Sequence, residues 1–110
     1  MPVIVEYDTA RPTPLLRFYV HDARHRRIHR AVLAQYRQAL WEAARAARLP
    51  APIKSPVELS ALFINPTSPD LDNLLTALFQ ALDGKCGKGP AILADDRQTV
   101  FVKDLGLMFP

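Results

Sequence analysis

The chain has 110 residues, of which 49% are hydrophobic and 23% charged, and its formal net charge is +3. These values indicate one globular domain over residues 1–110 and argue against a disordered or fibrous chain. No apolar stretch approaches the roughly 18 residues of a membrane-spanning helix, no signal-peptide pattern opens the sequence, and the single cysteine, Cys86, cannot form an internal disulfide. We therefore expect a cytoplasmic protein without a membrane partner.

Charge is distributed unevenly along the chain. Residues 1–50 contain nine arginines against four acidic residues, whereas residues 51–110 contain five basic residues against seven acidic ones. A basic segment joined to an acidic one suits a protein that holds a polyanion with one surface and a metal ion with another. A solvated, arginine-rich helix face gives the same composition, so the asymmetry alone does not decide between the two.

The first half of the chain predicts two short strands and a long helix. Residues 3–7 and 15–20 are rich in β-branched, aromatic and other apolar residues, and a turn with two prolines separates them. From about Asp22 the sequence becomes rich in Ala, Arg, Leu and Gln, and apolar residues recur at intervals of three and four. Pro50 ends this predicted amphipathic helix.

The second half predicts a strand, a helix and a last strand. Residues 57–64 alternate in a way that indicates a strand buried on one face and half-buried on the other. Residues 71–82 have the strongest helical period of the sequence, with Asp70 as the N-cap and Gly84 just past the end. A glycine-rich loop then leads to a strand at residues 99–103. We expect a two-layer α+β fold, with a mixed sheet of about four strands and two main helices on one side.

Asp70 and Asp72 lie at the start of the second predicted helix, where both carboxylates can converge. In the simplest interpretation they only complement the helix dipole, which favours negative charge there by about 0.3–1 kcal/mol. A third acid, Asp95 or Asp96, changes this if it returns to the same place, because three clustered carboxylates cannot all stay ionised without a cation. Carboxylate oxygens suit Mg²⁺, which assists attack on a phosphodiester.

Three segments resemble the signature region of the RusA family of Holliday junction resolvases: DLDNL at residues 70–74, ALFQAL at 77–82 and LADDRQTV at 93–100. The resemblance implies a RusA-like fold and a homodimeric, magnesium-dependent endodeoxyribonuclease. Such an enzyme resolves four-way DNA junctions in recombination and repair, and two sites related by a dyad match the two-fold symmetry of the junction. Carried over to this chain, the catalytic and metal-binding residues are Asp70, Asp72 and Asp96, and Asp95 assists at the metal.

Two positions depart from the family pattern. Members commonly have a lysine at the position of Thr76, and many have a basic run where residues 65–69 are neutral here. Other basic residues must then contact the phosphates. We expect these to be Arg24, Arg26, Arg27, Arg30, Lys85 and Lys88. An alternative is a DNA-binding or structural protein of the same fold with weak or lost nuclease activity. A general structure-selective or flap nuclease and a protein-binding module are further alternatives.

His21, His25 and His29 recur at intervals of four, so a helix that began early enough would present all three on one face. No Asp, Glu or Cys with suitable spacing completes a zinc site nearby. Because four arginines lie among and beside these histidines, a DNA-facing or solvated surface is the preferred interpretation.

Overall fold

The computed structural model describes residues 2–23, 30–50, 52–66, 70–82, 92–93 and 100–109. Its elements follow in the order β1 (Val3–Asp8), β2 (Leu15–His21), α1 (Arg30–Ala46), β3 (Val57–Ile64), α2 (Leu71–Leu82) and β4 (Val100–Met108). The predicted α+β class, with a four-stranded mixed sheet and two main helices, is therefore confirmed.

The sheet has the strand order β1-β2-β3-β4, with β1 antiparallel to β2 and the other neighbours parallel. In the register of the sheet, His21 pairs with Ile64 and Ile64 pairs with Met108. We call the side where these three strands end the carboxyl edge. The opposite side, where β3 and β4 begin with Val57 paired to Val100, is the amino edge.

One face of the sheet forms the hydrophobic core. Along β3 the side chains alternate between buried and half-buried, as the sequence predicted. The buried face packs against both helices, because residues of α1 and α2 belong to the same buried cluster. Large, fully buried side chains of this cluster include Leu16, Phe18, Leu59, Phe63, Tyr36, Leu40, Leu74, Leu78 and Leu82. Each fully buried side chain of this kind contributes about 1.5–3 kcal/mol through removal from water.

The two helices are amphipathic and differ in length, with 17 residues in α1 and 12 in α2. The inner side of α1 buries Tyr36, Leu40 and Ala44, while Gln38 on its outer side donates a hydrogen bond to Glu42. Within the described parts of the chain, neither helix has the length and apolar character needed to cross a membrane.

The structure corrects two limits of the predicted elements. Asp22 has a φ of 56° and Ala23 is not helical, so neither residue belongs to the long helix, which is described from Arg30 onward. The last strand is longer than predicted, since it runs to Met108 and not to Lys103. It stays paired with β3 over this whole length, with one irregularity opposite Leu59 and Ser60.

The end of β2 at His21 also corrects the histidine pattern. His21 is the last residue of β2 and lies in extended backbone, so the three histidines do not share one helix face. His25 and His29 lie outside the described residues. The strand continues to His21 because its whole length pairs with β3, up to His21 opposite Ile64.

Tyr36 carries a polar group into the core. Its side chain is 1% exposed, and its hydroxyl has no hydrogen-bond partner among the described residues. Burial raises the pKa of this phenol above its ordinary value, because the phenolate would lose its hydration. The ring stabilises the core, whereas the hydroxyl carries an uncompensated desolvation cost.

We expect Tyr36→Phe to leave the free energy of unfolding at pH 7 unchanged or to raise it by up to about 1 kcal/mol, because only an unpartnered hydroxyl is removed. Above about pH 10 the unfolded chain releases the Tyr36 proton while the folded chain retains it, so the wild type loses stability there. Tyr36→Phe has no phenol to titrate, so its free energy of unfolding should fall less above about pH 10 than that of the wild type. Urea unfolding of both proteins at neutral and alkaline pH measures the difference, and a clear destabilisation at pH 7 would contradict the assignment.

Candidate functional site

The candidate site lies at the carboxyl edge of the sheet. Helix α2 follows the end of β3, and its last residue accepts hydrogen bonds at the Leu82 oxygen from the backbone of Ile92 and Leu93. Leu93 pairs with Ile53, which precedes β3, so α2 ends near the amino edge. Its N-terminus therefore lies toward the carboxyl edge, where open α/β sheets commonly bind ligands.

Asp70 caps α2. The backbone N–H of Asn73 donates to Asp70 Oδ1 at 3.3 Å, and Asn73 Nδ2 donates to Asp70 Oδ2 at 2.7 Å. The Leu74 N–H donates to the Asp70 carbonyl oxygen at 3.1 Å, which begins the helical hydrogen bonding. The predicted N-cap is confirmed, and the side chain remains exposed to solvent while it serves this role.

Asp72 lies in the first turn of α2 and is exposed. Its carbonyl oxygen accepts a hydrogen bond from Thr76 Oγ1 at 2.9 Å. Within the described part of the chain, its carboxylate forms neither a hydrogen bond nor an ion pair. The Asp72 carboxylate is therefore available to a cation or to a hydrogen-bond donor of another molecule.

The third acid of the predicted site stays a prediction. Asp95 and Asp96 lie outside the described residues, and the described residues on either side of them, Leu93 and Val100, lie at the amino edge. Among the residues that the structure describes, no group of three or more His, Cys, Asp or Glu side chains is arranged to hold a metal ion. Asp70 and Asp72 thus need further ligands to form a complete metal site.

The predicted DNA-contacting residues are also untested. Arg30 is the first residue of α1, and the structure does not describe its side chain. The other five lie outside the described residues: Arg24, Arg26, Arg27, Lys85 and Lys88.

Two further polar residues lie at the carboxyl edge, and the sequence analysis did not select either of them as a site residue. Asp22 follows β2 and Asn65 follows β3, and both have left-handed backbone, with φ of 56° and 50°. Asn65 Nδ2 donates to Asp22 Oδ1 at 3.1 Å. The one available signal was an Asp or Asn directly after a predicted strand, since these residues adopt left-handed backbone more readily than other side chains.

No protein-family model matches this chain, and neither the curated proteins nor the solved structures contain a match to it. A functional interpretation therefore depends on the residues and the geometry described above.

We expect Asp70→Ala to lower the free energy of unfolding by about 0.5–2 kcal/mol, because the first turn of α2 loses its side-chain acceptor. Asp70→Asn keeps an acceptor oxygen for the Asn73 N–H and removes only the charge, so its cost is limited to about 0.3–1 kcal/mol. Chemical denaturation of the three proteins tests this order. Equal losses for the two variants would contradict the capping role.

Proposed function

We propose that the protein is a magnesium-dependent endodeoxyribonuclease that resolves four-way (Holliday) DNA junctions, the activity implied by its resemblance to the RusA family. The observation that carries the proposal is the exposed pair Asp70 and Asp72, two acids at the N-terminus of a helix on the carboxyl edge of the mixed sheet. Asp70 accepts two hydrogen bonds from Asn73, the fourth residue of the DLDN segment. Asp70, Asp72 and Asn73, three of the four residues of that segment, therefore belong to the candidate site.

In this proposal Asp70, Asp72 and Asp96 bind Mg²⁺, and Asp95 assists. Mg²⁺ usually takes one or two protein carboxylates and completes its shell with water and substrate phosphate, so two acids at the helix start suit it. When bound, it polarises a phosphate oxygen and activates water for hydrolysis of the phosphodiester. Asp70, fixed by two hydrogen bonds from Asn73, would orient the ion, and Asp72 would supply a second charge.

In this proposal a group of arginines binds the phosphate backbone of the DNA. Arg24, Arg26, Arg27 and Arg30 follow Asp22 and Ala23 in the sequence, and Asp22 lies at the carboxyl edge beside Asn65. If these residues, with Lys85 and Lys88, neutralise about four phosphates, log K for DNA falls against log salt with a slope of about −3.6. A homodimer, acting in the cytoplasm, would bring two such sites to the two strands of a junction.

Cleavage of a synthetic four-way junction tests the proposal. With Mg²⁺ present, the wild type is expected to make paired, symmetric cuts. Asp72→Asn is expected to slow them by at least about 100-fold, because one charge at the metal is lost. Asp104→Asn is the matched control: it removes the same charge from an exposed position on β4 and should keep the wild-type rate. Asp96→Asn tests the third acid separately.

The outcomes separate the alternatives. Salt-sensitive junction binding without any cleavage supports the DNA-binding protein with lost activity. Equal rates on junction and flap substrates support a general structure-selective nuclease, and a faster rate on flaps supports a flap nuclease. Absence of salt-sensitive DNA binding contradicts every nucleic-acid function and favours a protein-binding module.

The alternative of weak nuclease activity is favoured by Thr76. This residue lies one helical turn after Asp72, where family members commonly have a lysine, and its hydroxyl is used in a hydrogen bond to the Asp72 carbonyl oxygen. Thr76 has no positive charge to offer the scissile phosphate, and its hydroxyl proton is already used in this hydrogen bond. The wild-type rate is therefore expected to be low for an enzyme of this kind.

We expect Thr76→Lys to raise the cleavage rate at saturating DNA by about tenfold, because a cation one turn from Asp72 reaches the same face of the helix. Gln80→Lys is the matched control, since it adds the same charge one turn farther from the acids. Single-turnover rates of the three proteins on the same junction measure the effect. An equal gain in both variants would indicate a general electrostatic attraction and would contradict a specific role for position 76.

A further inference from the structure

The ends of β2 and β3 are built in the same way. Each strand is followed by an exposed polar residue with left-handed backbone, Asp22 after β2 and Asn65 after β3. Each of these is followed in turn by a buried residue, Ala23 or Pro66. The two strands are neighbours in the sheet, so the two turns lie side by side.

Backbone hydrogen bonds continue the sheet through both turns. The N–H of Asp22 donates to the Ile64 carbonyl oxygen at 2.9 Å, and the N–H of Asn65 donates to the Met108 carbonyl oxygen at 2.6 Å. Most side chains are strained at a φ near 50°, whereas Asn and Asp adopt it more readily. The identities of both residues therefore suit the direction in which the chain leaves each strand.

The side chains of the two turns are also joined, by the hydrogen bond of 3.1 Å from Asn65 Nδ2 to Asp22 Oδ1. We call this pair the strand-end clamp. It links the start of the segment that leads to the arginines with the start of the segment that leads to Asp70. We infer that Asp22 and Asn65 are positioning residues, which fix the first turn of α2 and thereby the carboxylates of Asp70 and Asp72. The inference rests on the proposed function for its catalytic consequence.

The clamp should affect cleavage more than DNA binding. Binding depends on charges spread over several basic residues and tolerates small displacements of any one element. Hydrolysis requires the reacting groups to be held closely in place, and a displacement of about 1 Å can slow a reaction strongly. The rate at saturating DNA is therefore the sensitive quantity, and the affinity for DNA is not.

The test uses Asn65→Asp alone and combined with Asp22→Asn. The single change places two carboxylates opposite each other and removes the donor, while both positions keep residues that tolerate left-handed backbone. The double change restores one amide and one carboxylate with their positions exchanged, so the hydrogen bond can form again. Both readouts are taken at a temperature where circular dichroism shows all three proteins folded.

The first readout is amide hydrogen exchange in α2, which does not depend on nuclease activity. Asn65→Asp is expected to speed exchange of the Asn73 and Leu74 amides by about three- to tenfold, and the double variant to restore it. Amides later in α2, such as that of Leu78, should not change. A uniform change along the helix, or none at Asn73 and Leu74, would overturn the inference.

The second readout is junction cleavage in Mg²⁺ and junction binding in Ca²⁺. Asn65→Asp is expected to lower the rate at saturating DNA by about tenfold with the DNA dissociation constant within about twofold of wild type, and the double variant to recover the rate. Failure of the double variant to recover it would overturn the inference. If the wild type itself does not cut, the proposed function fails, and the exchange of Asn73 and Leu74 still decides whether the clamp fixes this turn.

Discussion

The parallel pairing of β2, β3 and β4 is the constraint on which the rest of the structure depends. Two parallel neighbours cannot be joined by a tight turn, so the chain must cross back over the sheet between them. Helix α1 makes the first crossing and α2 lies in the second. Asp22 after β2, Asn65 after β3 and the first turn of α2 are consequently gathered on one side of the molecule, whatever ligand that side binds.

The general fold was predictable because its strongest signals are local. The alternation over residues 57–64 and the leucine period over residues 71–82 each require only a buried face, and both patterns are in the structure. The end of β2 at His21 and the extension of β4 to Met108 were not predictable in the same way. They depend on pairing with β3, and β4 includes Asp104 and Gly106, which have low strand propensity.

The same distinction applies to the candidate site. Asp70 was identifiable as a cap because its partner Asn73 is three residues away. The contact between Asp22 and Asn65 joins residues 43 positions apart, so no local pattern reveals it. The proposed grouping of Asp70 and Asp72 with Asp96 is long-range in the same sense. Here the resemblance to a known family gave a specific hypothesis where the physical signals in the sequence gave only a helix with two acids at its start.

The cap on α2 has a thermodynamic consequence. Both oxygens of the Asp70 carboxylate accept hydrogen bonds from Asn73. Each carboxylate oxygen has a second lone pair, so it can accept its hydrogen bond from Asn73 and still face a cation. The cap holds the carboxylate in place before a ligand arrives, and a cation bound there by the folded chain would in return stabilise the first turn of α2. Folding and ligation thus use one side chain and reinforce each other at this position.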